Sequence, residues 1–167
     1  MARIDASKVQ VLVFTFKEGL LSAVAHDLKL EVKRCAIDED GDRLMGDFEV
    51  SSITVVNAMK DQADEPGALS ASNKADIEKN MLHDVLDARK HPTVRFESTK
   101  VSATTIEGRL TLHGVTKAVT GTRKDSGGAR VAEFRLDQRD FGIKPFSAML
   151  GTLKIKPEVL VRVTLAG

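Results

Sequence analysis

The feature that most constrains this chain is alternation with a period of two. From Thr93 to Lys100, Val94 and Phe96 fall on one face and Arg95 and Glu97 on the other. From Thr105 to Leu112, Ile106, Leu110 and Leu112 share a face with Gly108. In residues 130–137, Ala132, Phe134 and Leu136 oppose Glu133 and Arg135. From Glu158 onward, Val159, Val161, Val163 and Leu165 line up together, and Leu28, Leu30 and Val32 alternate with Lys29, Glu31 and Lys33. Successive side chains of a strand point to opposite faces, so each run reads as a strand with one dry and one wet face. Residues 9–16, 44–50, 52–57, 117–124 and 150–156 are further strand candidates. The Gly- and Asp-bearing segments Asp38–Asp42 and Asp125–Gly128 predict turns, with weaker breaks at Ala103–Thr104 and Gly114. Many short strands with tight turns predict an antiparallel sandwich or barrel.

One segment departs from this pattern. Ile77, Met81, Leu82, Val85 and Leu86 sit at helical spacing, which predicts an α-helix over residues 74–88. Asn73 is the expected N-cap, and Asp76 lies near the positive end of the dipole. Pro92 disfavours helical geometry at His91, so the helix should stop before it. The polar stretch Asp61–Gly67 predicts a loop. A lone helix in an all-β chain most simply covers a barrel end or a sandwich edge.

Composition bounds what such a fold could carry. The 167 residues fit a single domain, 1–167, long enough to bury roughly 70% of the unfolded surface. A net charge of +1 and the absence of Tyr and Trp leave neither an electrostatic footprint nor a stacking platform for nucleic acid. One Cys excludes an internal disulfide and a zinc site with two or more Cys ligands. No apolar run approaches the ~20 residues of a membrane-spanning helix. The first such run, Val11–Phe14, is too short for the core of a secretion signal. A cytoplasmic location is therefore expected, with Cys35 reduced.

Few residues carry recognisable chemistry. His26 and Asp27 are adjacent at a strand start, so their side chains point apart; Ser22 could reach His26 only if the segment turns. His83 and Asp87 are four apart on the expected helix and can meet on one face. His91 precedes Pro92, and His113 ends a strand before Gly114. No His pair has zinc-motif spacing, and no phosphate loop, dinucleotide fingerprint or nucleophile elbow is present. Neither a metal nor a cofactor is expected, and no catalytic residue is assigned. Cys35 reads as a small buried residue, with a reactive thiol as the alternative because Lys33 and Arg34 are adjacent. Arg109, Lys117, Arg123, Lys124 and Arg130 gather around one hairpin in sequence. They read as solvated outer-face charges, or as a positive rim for an anionic head group.

Three segments resemble a known family. Residues 92–99, with Pro92, Phe96, Ser98 and Thr99, resemble its Pro-x-x-x-Phe-x-Ser-Thr strand. Gly108, Leu110, Thr111, Gly114, Val115 and Thr116 resemble its motif Gly-x-Leu-Thr-x-x-Gly-Val-Thr. Arg139, Asp140, Phe141 and Gly142 resemble a third motif, at the same order and separation. Together they resemble the YceI-like family over most of the chain, most strongly from residue 91 onward. The resemblance implies a lipocalin-like antiparallel β-barrel of about eight strands, whose elongated apolar cavity holds a lipid, in the type members a polyisoprenoid. Ala25–Leu28 and residues 61–72 depart from the family's usual pattern, and many members carry a secretion signal.

The leading expectation is non-enzymatic binding of an apolar lipid or isoprenoid, for storage, transport or sequestration. Alternation places Phe14, Leu30, Val32, Phe48, Phe96, Leu110, Phe134, Leu136 and Phe141 on the cavity side. His26, His113 and Arg139 are the candidate polar contacts. Residues 9–16 are apolar on both faces, so the register of Phe14 stays open. Two alternatives stand beside this: a small hydrolase or isomerase with a His-based site at the barrel mouth, and a protein-interaction module. No nucleic-acid partner and no integral membrane segment are expected, and a homodimer is left open.

Overall fold

The computed structural model describes residues 2–18, 26–148 and 153–167. The first strands are β1 (Ala2–Arg3), β2 (Val9–Lys17), β3 (Asp27–Val32), β4 (Cys35–Asp40), β5 (Arg43–Glu49), β6 (Ile53–Lys60) and β7 (Ala63–Glu65). Helix α1 (Ala71–Asn80) follows, and then β8 (Thr93–Val101), β9 (Thr105–Leu112), β10 (Val115–Ser126), β11 (Ala129–Asp137), β12 (Ser147–Ala148) and β13 (Leu153–Leu165). All pairings are antiparallel, in the order β1-β4-β5-β8-β9-β10-β11-β13-β2-β3-β6-β7, with β12 on β13.

The thirteen segments exceed the expected count of about eight because long strands are interrupted. β1 leads into β2 through a single turn at Ala6–Lys8, β3 into β4 across Lys33 and Arg34, and β5 into β6 across Val50–Ser52. Val11 opposes Val32 and Arg3 opposes Asp38, so β1–β2 flanks β3–β4 along its length. On its other side β3–β4 faces β5–β6. Joined in this way, and with the short β7 and β12 set aside, the segments make eight ribbons, and their order returns to its starting ribbon, closing a barrel. Buried Ser52 ties the bend: its Oγ accepts from Arg34 N–H at 3.0 Å, and its carbonyl accepts from Lys33 N–H at 3.2 Å. Backbone groups that leave one ladder are thus satisfied before they join the next.

Local chemistry explains the elements that the sequence pattern places differently. β7 forms inside the expected loop because Asp61 and Gln62, at φ 51° and 67°, make a two-residue turn that folds Ala63–Glu65 back on β6. Helix α1 starts at Ala71, earlier than expected. Ser70 Oγ accepts from Asn73 N–H at 3.0 Å, and Asn73 Oδ1 accepts from Ser70 N–H at 3.2 Å. This is a reciprocal capping box, so the cap is Ser70 and not Asn73. Past Asn80 the helix widens into a π turn over Met81–Val85, and Asp87 stops it at φ 46°. The widening removes the expected His83–Asp87 contact, and His83 Nδ1 lies 2.8 Å from Asp84 Oδ1 instead. The run expected at 150–156 and the one from Glu158 are a single strand, β13, from Leu153 onward.

β6 diverges from β8 beyond the bend, and α1 packs on β6 where β8 has left. Ile77 and Met81 press on one buried cluster: Leu28, Leu30, Val55, Ala58 and Leu69. Val85 and Leu86 press on the other: Ile106, Leu110, Phe134, Leu136, Phe141 and Ile143. The helix thus links both clusters and completes the wall at one end.

Candidate ligand-binding cavity

A cavity of about 840 Å³ runs through the barrel, bordered by both clusters and by α1. Pairs of Phe and Gly keep it open. An added Cβ on Gly108 would stand 2.5 Å from the Phe96 ring and from the Glu97 carbonyl oxygen. On Gly121 it would meet the Phe134 ring and the Glu133 carbonyl at 2.7 Å, and on Gly46 the Phe48 ring at 2.8 Å. Each ring therefore lies close over a glycine of the wall and leaves the bore to a ligand; Phe96 and Phe134 meet edge to face at 5.5 Å. The Gly108 of the central motif is explained by this contact.

Of the side chains that alternation places inside, Leu30, Val32, Phe48, Phe96, Leu110, Phe134 and Leu136 line the cavity. Phe14 does not. Val11, Val13 and Thr15 are the inward residues of β2, while the Phe14 ring faces outward beneath the Arg162 guanidinium, 4.9 Å from its centroid. Arg162 is held there by Glu133 at 2.7 Å. Hydrophobicity on both faces of β2 hides this register from the sequence. Phe141 is also not on the lining. Its strand ends at Asp137, a short 3-10 turn rotates the chain, and the ring is buried at 2% exposure among the Ile106 cluster.

The three polar candidates separate. His26 stands on the lining, at the end where α1 packs. Ser22, which would have to turn toward it, lies outside the described residues. His113 is the first residue of the β9–β10 turn, at φ 54° beside Gly114 at 77°. Its ring lies against His91, tilted by 50° with centroids 4.4 Å apart, away from the lining. Arg139 is exposed and bound to Asp137 at 2.8 Å, and this contact holds the Asp137 carboxyl below the usual range. The basic hairpin residues divide in the same way. Arg123 and Arg130 reach the cavity, whereas Arg109 faces a shallow outer pocket beside Arg95, Glu97, Thr111 and Thr116.

Of the other polar lining residues, Glu39, Thr15 and Gln138 carry no signal in the sequence. At the end opposite α1, Arg130 on β11 reaches over β13 and β1–β2 to Glu39 on β4, a two-pronged ion pair across the mouth. At the helix end stand Thr15, His26 and Gln138. Burial raises the Cys35 thiol above its ordinary pKa, which opposes the thiolate form a reactive cysteine needs. Among the described residues, no three His, Cys, Asp or Glu side chains gather to hold a metal ion. No helix among them is long and apolar enough to cross a membrane.

Comparison with known proteins agrees with this geometry. The profile of the YceI-like domain matches residues 4–166. A UPF0312 protein of Pseudomonas putida (strain W619) is 40% identical over 100 residues, covering 50% of this chain and 52% of that protein. One from Pseudomonas aeruginosa (strain LESB58) is 41% identical over 88 residues, covering 44% and 46%. The aligned part thus spans about half the length of these curated relatives. Among solved structures, BcnA of Burkholderia cenocepacia superposes with a TM-score of 0.63 at 14% identity, covering 97% of this chain and 98% of that one. A polyisoprenoid binding domain from Saccharophagus degradans gives 0.59 at 9% identity, covering 99% and 98%. Both likenesses are of fold.

Proposed function

Because this chain belongs to the YceI-like family, we propose that it binds a long-chain apolar lipid or isoprenoid inside the barrel and releases it chemically unchanged, for storage, transport or sequestration. The observation that carries this reading is the cavity of about 840 Å³ with a lining mainly of Val, Leu, Ile and Phe. That size lies within the range of small-molecule sites. Burying a chain of ~20 carbons at about 0.8 kcal/mol per methylene offers roughly 16 kcal/mol gross. Association and ordering remove a large part of it. Tight binding then needs no catalytic group and few polar contacts. The name of the Saccharophagus degradans neighbour points to the same ligand class.

The arrangement of histidines favours binding over turnover. His26 stands alone on the lining, and His91 and His113 meet away from it. We place the role in the cytoplasm, where a single thiol such as Cys35 stays reduced.

The test is native mass spectrometry of gently purified protein, with mass analysis of an organic extract. A co-purified single-chain hydrocarbon or isoprenoid is the expected result, and it should disappear in Ala132→Phe, which fills the bore. An empty cavity that takes up no apolar chain would falsify the proposal. With no Trp or Tyr, the protein's near-ultraviolet absorbance comes from Phe, so a conjugated ligand would stand out.

A further inference from the structure

Resting on that reading, we infer that the helix end of the cavity is a head-group subsite that selects an uncharged hydrogen-bonding group, such as an alcohol, carbonyl or amide, over a carboxylate or phosphate. Thr15 on β2, His26 just before β3 and Gln138 just after β11 all stand on the cavity lining. Register brings them to one end: Thr15 opposes Leu28 and Val159, and Gln138 follows Asp137, the partner of Glu158.

Thr15 Oγ1 is the only buried side-chain polar atom among the described residues without a hydrogen-bond partner. A buried hydroxyl without a partner is unfavourable, and valine would fill the same volume without that penalty. Val11 and Val13 do so at the two preceding inward positions of the strand. Thr15 lines the bore, and rotation about χ1 to another staggered position can bring its hydroxyl to face a bound chain. Gln138 is held in place by its own bond: Nε2 donates to the Lys156 carbonyl at 3.2 Å, at the irregularity in β13 beside Pro157. That leaves its carbonyl oxygen as an acceptor, and the His26 imidazole adds two ring nitrogens that can hydrogen-bond.

The charge pattern decides the class of head group. Both arginines on the lining, Arg123 and Arg130, belong to the opposite end, and Arg130 is engaged by Glu39. The charged lining residue that α1 contributes is Asp76, a carboxylate. A hydroxyl, an amide and an imidazole can satisfy an alcohol or carbonyl in a dry bore, but they do not neutralise an anion there.

The experiment offers the delipidated full chain an equal mixture of hexadecane, hexadecan-1-ol and hexadecanoate, and native mass spectrometry counts the complexes. The alcohol should be preferred over the alkane by roughly tenfold, the scale of one net hydrogen bond, and over hexadecanoate by at least as much. Thr15→Val should bring the alcohol-to-alkane ratio close to one, with an unchanged or higher Tm. Gln138→Leu should lower the same ratio and supplies a second variant if the first does not fold. Preference for hexadecanoate, or an alcohol preference that survives Thr15→Val, overturns the inference and leaves the cavity reading standing. If none of the three chains binds, the cavity reading fails and takes this inference with it.

Discussion

The two ends of the cavity are closed by different physics. At the far end the closing contact is the Glu39–Arg130 ion pair, with side chains 30% and 39% exposed. At the helix end the contacts are mostly buried. Phe141 is 2% exposed, Ile77 and Met81 press on the Leu28 cluster, and Glu78 Oε1 accepts from the backbone N–H of Val55 at 2.8 Å. That last bond serves a strand already paired with β3 through Leu30, at a point that β7, which reaches only Ala58–Lys60, does not cover. An ion pair in contact with water can part and re-form at little cost, since water solvates both ions in turn. A buried ring and a buried N–H have no such substitute. Among the described residues, the far end is held by an exposed contact and the helix end by buried ones.

The comparison breaks most easily at Phe141. Phe141→Ala should lower stability by about 3–5 kcal/mol in urea unfolding, the usual loss for a fully buried ring. Phe96→Ala, at a ring that already borders open space, should cost distinctly less. Equal losses at the two positions would mean that the cavity is as tightly packed as the helix end.

Glu78 comes next. Glu78→Ala strands the Val55 N–H, and an unsatisfied buried donor costs about 1–3 kcal/mol. Glu78→Gln keeps an acceptor and should recover most of that loss. Amide exchange at Val55 should quicken in the alanine variant and stay slow in the glutamine one. If exchange at Val55 ignores both substitutions, the helix is not tied to the wall through this residue.

The sequence displays the wall of this site better than its ends. Phe96, Leu110, Phe134 and Leu136 lie on strands with one dry face, so alternation alone assigns them inward. The inward expectation for Phe14 fails because Leu12 and Phe14 are as apolar as Val11 and Val13, and pairing with β13 and β3 decides between the two faces. Phe141 and Arg139 follow the end of β11, where a period of two no longer applies. The capping box escaped notice because its third position is Asn73, where Glu or Gln is the usual signature. Glu39–Arg130 joins residues 91 apart in sequence; the basic hairpin drew attention to Arg130, but nothing local marks Glu39 as its partner. The orphan hydroxyl of Thr15 emerges only when every neighbour is in place.

The smallest effect should come from the far mouth. Glu39→Gln removes one charge of a half-exposed pair, so stability should fall by less than about 1 kcal/mol. The difference should shrink further near ~1 M salt, where screening acts over ~3 Å. Its kinetic effect has the opposite weight. If this mouth is where chains pass, release of bound hexadecan-1-ol should be faster in Glu39→Gln than in the wild type, and faster in the wild type at high salt than at low. Glu78→Ala, which loosens the other end, should then affect stability more and release less. Release that responds to Glu78→Ala and not to Glu39→Gln would reverse the assignment and make the helix the moving part.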